Sequence, residues 1–428
     1  MLSLLNFSRK FVKAEGMYVW DDKGGRYLDF LGGYGSLNLG HNHPDIWKAI
    51  EKIKSSPILL QAALNPIASA LAENLSKVTP GDLKVSFFCN SGAEAVEGAL
   101  KIARIASKKK KFLYTINSFH GKTFGALSVT GREKYQKAFK PLLPGCVDVP
   151  FGDIDLLEKR LSSKKFAAFI LEPVQGEGGI VVPEEGYLSK VRGLCSKYKT
   201  YLILDEIQTG LGRTGKMFAC EYEDVVPDIL TLAKSLGGGI APIGVYITTN
   251  EIWSKAYGSL SKALLHTSTF GGNTFSSVCA LETLRIIIED NLVEKSYENG
   301  EYFLSKLRGL QKKHKMIKSV RGKGLLIGVE FLEPKSGLMN KLSLGLLNKL
   351  SKEYLASFIA SELLNSYKII TAYTLNNPNV VRFEPPLYVS KEEIDLAVKA
   401  LDEICSKYKG LSDFGIKAGK DFLKKISS

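Results

Sequence analysis

The sequence predicts an α/β protein with a mainly parallel sheet, followed by a smaller α+β region. Two observations carry this prediction. From Val85 onward, short β-rich segments alternate with helical patterns, which is typical of parallel strands joined by crossover helices. In the C-terminal part, strands and helices are fewer and do not follow that regular alternation, which favours an α+β domain.

The individual elements follow from apolar periodicity and turn residues. The segment WDDKGGRYLDF predicts two strands with Gly24–Gly25 at the turn between them. The other predicted strands are Lys84–Cys89, Phe112–Ile116, Ala167–Leu171, Tyr201–Leu204, Lys323–Leu332 and Val380–Phe383. The predicted helices are Gly92–Ala106, Tyr187–Tyr198, Phe275–Ile288, Leu342–Ser366 and Lys391–Ser406.

Composition and charge narrow the class of protein. A net charge of +14 over 428 residues could indicate a nucleic-acid partner, but the lysines are spread along the chain. Small clusters occur at Lys108–Lys111 and after Lys407, without a nucleic-acid motif. A basic active site for anionic ligands explains the charge better, and we expect no nucleic-acid partner.

Targeting signals and metal motifs are not evident. No stretch of roughly eighteen or more apolar residues predicts a membrane span, and the start MLSLLNFSRKFVKAEG does not resemble a signal peptide. The six cysteines are scattered without a C-x-x-C pair, so we expect neither a metal site nor a disulfide framework. We therefore expect a cytoplasmic protein without a membrane partner.

The segment Tyr201–Gly215 places a carboxylate where α/β sheets bind ligands. Asp205 follows an apolar strand, and ligands lie beyond the carboxyl ends of such strands. A carboxylate there can hold the pyridinium of pyridoxal phosphate (PLP) protonated, and the amide of Gln208 can bond a phenolate oxygen. The G-x-G-x-x-G string at Gly210–Gly215 is a weak nicotinamide signal, because it does not open directly after the strand.

Two further segments suit the same cofactor. Lys234 follows an apolar run and precedes three glycines, and desolvation there would lower its pKa and favour a Schiff base. In FFCNSGAEAVEGAL, a strand leads into a helix, whose first N–H groups at Gly92 and Ala93 would cradle a phosphate. Ordinary capping by Ser91 with Glu94 as capping-box partner explains the same residues, and both interpretations can hold.

With these segments in place, the chain resembles the class III (ornithine and ω-amino acid) aminotransferases, from FLGGYGSLNLGHNHP to VRFEPPL. The resemblance implies a fold type I PLP enzyme with a mainly parallel sheet of the seven-stranded type. It implies an N-terminal segment of residues 1–58 that packs with the small domain. Residues 59–315 would form the large PLP-binding domain and residues 316–428 the C-terminal small domain.

The resemblance also assigns residues. Lys234 would be the Schiff-base lysine, Asp205 the partner of the ring nitrogen, and Phe119 the ring-stacking aromatic. The cofactor-binding set would be Ser91, Gly92, Ala93, Phe119, His120, Glu172, Asp205, Gln208, Lys234 and Thr269. Thr269 would reach the phosphate of the partner subunit in a homodimer with shared active sites. Many relatives carry Thr or Ser where this chain has Ala93, so one hydroxyl contact to the phosphate is absent.

The substrate side is assigned in the same way. Arg382 resembles the arginine that clamps the α-carboxylate in 2-oxoglutarate or glutamate, and Glu177 the carboxylate that pairs with it when the donor has none. Ornithine enzymes usually carry Arg where this chain has Lys122, and segments such as FHGKTFGALS resemble putrescine aminotransferases. We therefore predict transfer from a diamine (putrescine or cadaverine) to 2-oxoglutarate.

Alternatives remain open. Tyr34 lies where ornithine enzymes also place a tyrosine, so an ornithine or acetylornithine aminotransferase is the first alternative. An amino-acid epimerase or aminomutase of the same fold is a second, and a non-enzymatic basic PLP-binding protein a third. An insertion around Leu338–Tyr354 departs from the shorter putrescine enzymes, and the basic tail Lys407–Ser428 is predicted to be a solvated helix.

Overall fold

The computed structural model of the chain describes residues 8–60, 63–332 and 346–408. The strands in chain order are β1 (Phe11–Glu15), β2 (Tyr18–Asp21), β3 (Arg26–Asp29), β4 (Val85–Cys89), β5 (Lys111–Thr115), β6 (Cys146–Val149), β7 (Phe166–Leu171), β8 (Tyr201–Asp205), β9 (Ile229–Leu232), β10 (Gly244–Thr248), β11 (Ile317–Lys323), β12 (Leu326–Phe331), β13 (Ile369–Ile370), β14 (Ala372–Tyr373) and β15 (Val380–Phe383).

The helices lie between these strands. The first, α1 (Gly32–Gly35), is a single turn with positive φ angles. The others are α2 (Pro44–Lys52), α3 (Pro66–Val78), α4 (Gly92–Ser107), α5 (Phe124–Ser128), α6 (Glu133–Gln136), α7 (Ile154–Leu161), α8 (Tyr187–Lys197), α9 (Asn250–Tyr257), α10 (Thr274–Glu289), α11 (Leu292–Lys313), α12 (Leu346–Tyr367) and α13 (Lys391–Lys407).

A seven-stranded sheet forms the centre of the molecule, in the order β4-β10-β9-β8-β7-β5-β6. Every pair is parallel except those that β10 makes with β4 and β9. Strand β7 is buried at all of its residues, because helices cover both faces of the sheet. Alternate residues of β7 point to opposite faces and belong to two apolar clusters. Ala168 and Ile170 belong to the cluster that includes α4, and Phe169 and Leu171 belong to the cluster that includes α7 and α8.

Two smaller sheets flank this core. The order β1-β2-β3-β13 joins the N-terminal hairpin to a late strand, since β13 pairs in parallel with β3. The other sheet has the order β11-β12-β15-β14 and is antiparallel. The N-terminal and C-terminal parts of the chain are therefore hydrogen-bonded together, and β15 lies inside its sheet rather than at an edge.

Most predicted elements agree with the structure to within a few residues, and the fold class is confirmed. The predicted strand Lys323–Leu332 is wrong at its start, because the chain turns at Gly324 between β11 and β12. Gly324 has a φ of 51°, and a Cβ there would lie 2.3 Å from the backbone of Thr214. The division into parts at residues 58 and 315 stays a prediction.

Two predictions concern residues at the limits of the described ranges. The insertion around Leu338–Tyr354 falls outside the described residues except where α12 begins, and most of the basic tail lies beyond residue 408. Among the helices of the described ranges, none combines the length and apolar character that crossing a membrane requires.

Candidate active site

A cavity of about 490 Å³ lies at the carboxyl ends of the central strands. This edge is where α/β sheets bind ligands, because the loops after parallel strands converge there. The lining residues are Ser36, Asn90, Ser91, Gly92, Ala93, Phe119, His120, Gly121, Glu172, Glu177, Asp205, Ile207, Gln208, Thr209, Ala233, Lys234, Gly239, Ile240, Ala241, Pro242 and Ile243. Most of the residues assigned from the sequence are thus brought together around one space.

Lys234 lies in the cavity wall. Ala233 separates it from Leu232, the last residue of β9. The Lys234 side chain lines the cavity, and the residue as a whole is partly buried. Burial lowers the pKa of its amine, although the nearby carboxylates of Glu384 and Glu177 oppose that shift. A lysine with a lowered pKa supplies the uncharged amine that covalent catalysis needs.

Asp205 is the last residue of β8 and is buried, with 3% of its surface exposed. Its Oδ2 lies 2.7 Å from Nδ1 of His120, and its Oδ1 accepts hydrogen bonds from Ile207 N and Thr231 Oγ1, both at 3.1 Å. Within the described residues, the other ring nitrogen of His120 has no hydrogen-bond partner. These contacts fix the carboxylate in one orientation beside the cavity.

The N-terminus of α4 forms another wall. Ser91 caps the helix, since its Oγ accepts a hydrogen bond from Glu94 N at 3.2 Å. The reciprocal bond differs from the predicted capping box, because Glu94 Oε2 accepts from Asn90 N at 2.6 Å rather than from Ser91 N. The N–H groups of Gly92 and Ala93 belong to the first turn and have no acceptor within the helix, so they remain available to an anion.

Glu172 connects the cavity floor to the loop that follows β7. Its Oε1 accepts a hydrogen bond from Phe119 N at 2.9 Å, and its Oε2 accepts one from Gly176 N at 3.0 Å. Burial raises the pKa of this carboxyl to about 7, against the opposing effect of His120. Glu172 therefore positions Phe119 and the residue before Glu177 at the same time.

Glu177 lines the cavity, and behind it a buried arginine that is not itself a lining residue lies between two carboxylates. Arg382, on β15, has no exposed surface. Its Nη2 lies 2.7 Å from Glu177 Oε2 as an ion pair, and its Nη1 donates a hydrogen bond to Glu384 Oε1 at 3.0 Å. Burial alone would lower the pKa of Arg382, but the two glutamates outweigh it and raise the pKa. The guanidinium is therefore charged.

Glu384 was missed by the sequence reasoning. It is fully buried, and its Oε2 lies 3.4 Å from Nε2 of Gln208. A signal for it exists in VRFEPPL, where Glu384 follows Arg382 by two residues. In a strand such residues share one face, so an acid and a base at that spacing indicate a pair.

Four predicted residues need separate description. Gln208 lines the cavity, but its Nε2 donates to Tyr34 O at 3.1 Å, so its contact with a ring hydroxyl stays a prediction. The ring centre of Tyr34 lies 5.3 Å from Cζ of Arg382. Lys122 Nζ is exposed and lies 5.1 Å from the ring centre of Tyr135. Thr269 is exposed and is not part of the cavity wall of its own chain.

The cavity fits PLP. It offers a lysine whose amine is desolvated, a buried and oriented carboxylate, and an aromatic ring at Phe119. It also has a helix N-terminus whose first residue, Gly92, is confined, because a Cβ there would lie 2.9 Å from Ile207 Cδ1. Amine, carboxylate, aromatic face and anion site are the groups that hold this cofactor.

Comparison with known proteins places this geometry in a family. Residues 4–405 match the family described as aminotransferase class-III. An uncharacterised aminotransferase of Schizosaccharomyces pombe is 40% identical over 410 residues, which cover 94% of this chain and 83% of that protein. The match therefore extends over almost all of this chain and most of that protein.

Solved structures agree. The ornithine aminotransferase of Toxoplasma gondii ME49 is 31% identical with a TM-score of 0.83, covering 93% of this chain and 90% of that one. The acetylornithine aminotransferase of Elizabethkingia anophelis is 30% identical with a TM-score of 0.77, covering 94% of each chain. An (S)-enantioselective ω-transaminase of Thermomicrobium roseum is 31% identical with a TM-score of 0.83, covering 93% and 92%. The chain therefore belongs to the class III aminotransferases, PLP-dependent enzymes of fold type I.

Proposed function

We propose that this aminotransferase moves the terminal amino group of a diamine, putrescine or cadaverine, to 2-oxoglutarate. The products would be an aminoaldehyde and glutamate. The observation that carries the proposal is the ion pair between Arg382 and Glu177 at the cavity wall. A donor without a carboxylate leaves that pair closed, and a 2-oxo acid opens it.

The cofactor end of the cavity would carry the chemistry. When bound, PLP supplies an aldehyde that captures primary amines and a ring that accepts the electron pair of a broken C–H bond. Lys234 Nζ would hold the cofactor covalently between turnovers and, once displaced by a donor amine, take a proton from the substrate carbon. Asp205 Oδ would keep the ring nitrogen protonated, and the N–H groups of Gly92 and Ala93 would bind the phosphate.

The acceptor would be recognised at the other end. With Glu177 moved away, Arg382 offers a planar donor fork to a carboxylate group on 2-oxoglutarate. In the donor half of the reaction, Glu177 and Glu384 outnumber the single charge of Arg382. That excess of negative charge favours a donor whose non-reacting end is cationic, as in a diamine.

An ornithine or acetylornithine aminotransferase is the second candidate. Several of the similar solved structures carry those names. Tyr34 occupies a position where ornithine enzymes also place a tyrosine, and its ring centre lies 5.3 Å from Cζ of Arg382. Against it, the chain has Lys122 where those enzymes usually have arginine, and lysine binds a carboxylate without the bidentate fork. An epimerase or aminomutase is less well supported, because the Glu177–Arg382 pair suits two alternating substrates.

We further propose a homodimer in which Thr269 reaches the phosphate of the partner subunit, since class III aminotransferases are typically dimeric. Large apolar side chains are exposed around Thr269, namely Leu64, Leu260, Leu264 and Phe270. The segments that carry them are joined by hydrogen bonds from Thr274 N to Ile58 O and from Asn65 Nδ2 to Gly272 O. Such exposed apolar surface supports an interface between subunits.

The test is a donor panel on the PLP-loaded protein. Putrescine, cadaverine, ornithine, acetylornithine, lysine and 4-aminobutyrate are each mixed with the enzyme, and loss of the bound-cofactor absorbance reports amino transfer. We expect diamines to react at least about tenfold faster than ornithine, a difference of about 1.4 kcal/mol in activation free energy. Faster reaction with ornithine or its acetyl derivative would contradict the diamine proposal.

Lys122→Arg is the matched variant for the same panel. It restores the residue that ornithine enzymes usually carry and leaves the charge unchanged. We expect the ratio of the ornithine rate to the putrescine rate to rise severalfold, because the fork binds the donor carboxylate. An unchanged ratio would mean that position 122 does not face the donor.

A further inference from the structure

The two carboxylates that contact Arg382 differ in their surroundings. Glu177 lines the cavity and keeps 7% of its surface accessible. Its backbone oxygen accepts a hydrogen bond from Asn376 N at 2.9 Å, so its main chain is held in place. Its Oε2, the oxygen that faces Arg382, also accepts a hydrogen bond from Leu375 N at 2.9 Å. Any movement of Glu177 away from Arg382 is therefore a rotation of its side chain into the adjoining cavity, and that rotation also breaks the bond to Leu375 N.

Glu384 has no comparable freedom. Its backbone N–H donates to Phe30 O at 2.7 Å, and its side chain has no exposed surface. Gly35 lies so close that a Cβ there would be 2.7 Å from Glu384 Oε2. Gln208 also lies near Oε2, and Arg382 donates to Oε1. Both oxygens of the Glu384 carboxylate are therefore in contact with neighbouring residues.

The guanidinium of Arg382 shows a matching asymmetry. Nη1 donates a hydrogen bond to Glu384, whereas Nε has no hydrogen-bond acceptor within the described residues. Nη2 lies 2.7 Å from Glu177 Oε2, so its partner is the carboxylate that would move. The Nε–Nη2 edge is one that binds a carboxylate through two parallel hydrogen bonds, and a buried donor without an acceptor, as Nε is here, is costly. That edge is consequently the one reserved for a ligand.

We propose that Glu384 is a positioning residue that holds Arg382 by Nη1 throughout the reaction, while Glu177 alone moves to admit the acceptor's carboxylate. The inference rests on the proposed role of Arg382 in binding the 2-oxo acid. Glu384 keeps the Nε–Nη2 edge of Arg382 in one orientation, both when Glu177 is paired with it and when Glu177 has moved away. The arginine then needs no reordering between the two half-reactions, and the acceptor binds to a preformed fork.

The experiment measures binding of glutarate, a dicarboxylate that cannot react, to the PLP-loaded enzyme by titration calorimetry. The variants are Glu384→Ala and Glu384→Gln. The control is Asp228→Asn, which removes the carboxylate of the Arg192–Asp228 pair at the other end of the central sheet. KM values for 2-oxoglutarate and putrescine are measured beside the binding.

We expect Glu384→Ala to raise the Kd for glutarate and the KM for 2-oxoglutarate about tenfold. The KM for putrescine should rise as well, because the variant removes one of the two negative charges that favour the diamine. Glu384→Gln should restore the Kd for glutarate and the KM for 2-oxoglutarate to within about threefold of the parent, because an amide oxygen still accepts from Nη1. Charge alone predicts the opposite sign, since removing a negative group beside Arg382 would strengthen glutarate binding. Whether glutarate binding weakens or strengthens therefore distinguishes a positioning role of Glu384 from an effect of its charge.

Unchanged or tighter glutarate binding by Glu384→Ala overturns the positioning role. If that variant does not fold, Glu384→Asp takes its place, because it keeps the charge but draws the carboxylate back from Nη1. It should weaken glutarate binding severalfold, and parental affinity would also overturn the role. Arg382→Lys tests the underlying assumption: undiminished glutarate binding there would show that Arg382 does not bind the carboxylate, and both proposals would fall.

Discussion

The two ends of the cavity are built differently. At the cofactor end, Asp205 ends a strand of the seven-stranded sheet, and Gly92 and Lys234 lie a few residues beyond two others. At the carboxylate end, Glu177 comes from the loop after β7, while Arg382 and Glu384 come from β15 and the residue after it, in a separate four-stranded sheet. One end is a single rigid edge, and the other is assembled from two sheets.

This difference suits two tasks. In the proposed reaction the cofactor end would serve both half-reactions with the same groups, and its side chains make short contacts such as that between His120 and Asp205. The carboxylate end would meet two unlike substrates in turn, and it contains an ion pair that a ligand could replace. Substitutions at the two ends should accordingly affect different kinetic parameters, kcat at the cofactor end and the KM for 2-oxoglutarate at the carboxylate end.

The largest effect is expected at the cofactor end, from Lys234→Ala. Without the amine, the enzyme has no covalent attachment point and no base at the substrate carbon, so kcat should fall by at least about a thousandfold. Borohydride treatment followed by mass spectrometry should find no cofactor fixed to the chain. The control is Lys255→Ala, on α9 and paired with Glu251. A reducible link that survives in the Lys234 variant would refute the assignment.

A smaller and selective effect is expected at the carboxylate end, from Arg382→Lys. The charge between Glu177 and Glu384 is kept, but the bidentate fork is lost. The KM for 2-oxoglutarate should rise about ten- to a hundredfold, while the KM for the amine donor changes by no more than about threefold. Steady-state kinetics with both substrates varied gives the two values. An equal rise in both would mean that the two ends do not work independently.

The smallest effect concerns Glu172, which joins the two ends. Its pKa is raised by burial from an ordinary 4.5 to about 7, so the folded chain keeps this proton to a higher pH than the unfolded chain does. Its contribution to stability is therefore fully present below about pH 4.5 and is lost as the pH rises through about 7. The free energy of unfolding should fall by about 1–3 kcal/mol over that range relative to Glu172→Gln.

Urea unfolding of the two cofactor-free proteins at several pH values measures this difference. All other titrating groups are the same in the two proteins, so their contributions cancel in the difference between the two free energies of unfolding. Parallel stability curves for the parent and Glu172→Gln would contradict the raised pKa.

The same contrast explains how much the sequence could predict. Asp205 and Lys234 could be placed at the cavity because each lies at or just beyond the end of an apolar strand, so a local pattern carries the information. The spacing of Glu384 from Arg382 indicates a pair, but its enclosure by Gly35 and Gln208 could not be predicted, because those residues are distant in the chain. The turn at Gly324 was missed because one strand was predicted through a residue whose φ is 51° and whose Cβ would lie 2.3 Å from the backbone of Thr214, which is distant in the chain.

The space that Gly35 leaves for Glu384 also bears on how such enzymes can diverge. A side chain at position 35 would displace the carboxylate at position 384, and it would also strain a backbone whose φ is 77°. A lineage that shortens residue 384 first removes the steric conflict but not the backbone strain, so position 35 could then accept a residue such as Asn that tolerates a positive φ. The reverse order meets both penalties at once. We therefore expect the history of these two sites to be ordered, with changes at 384 preceding changes at 35.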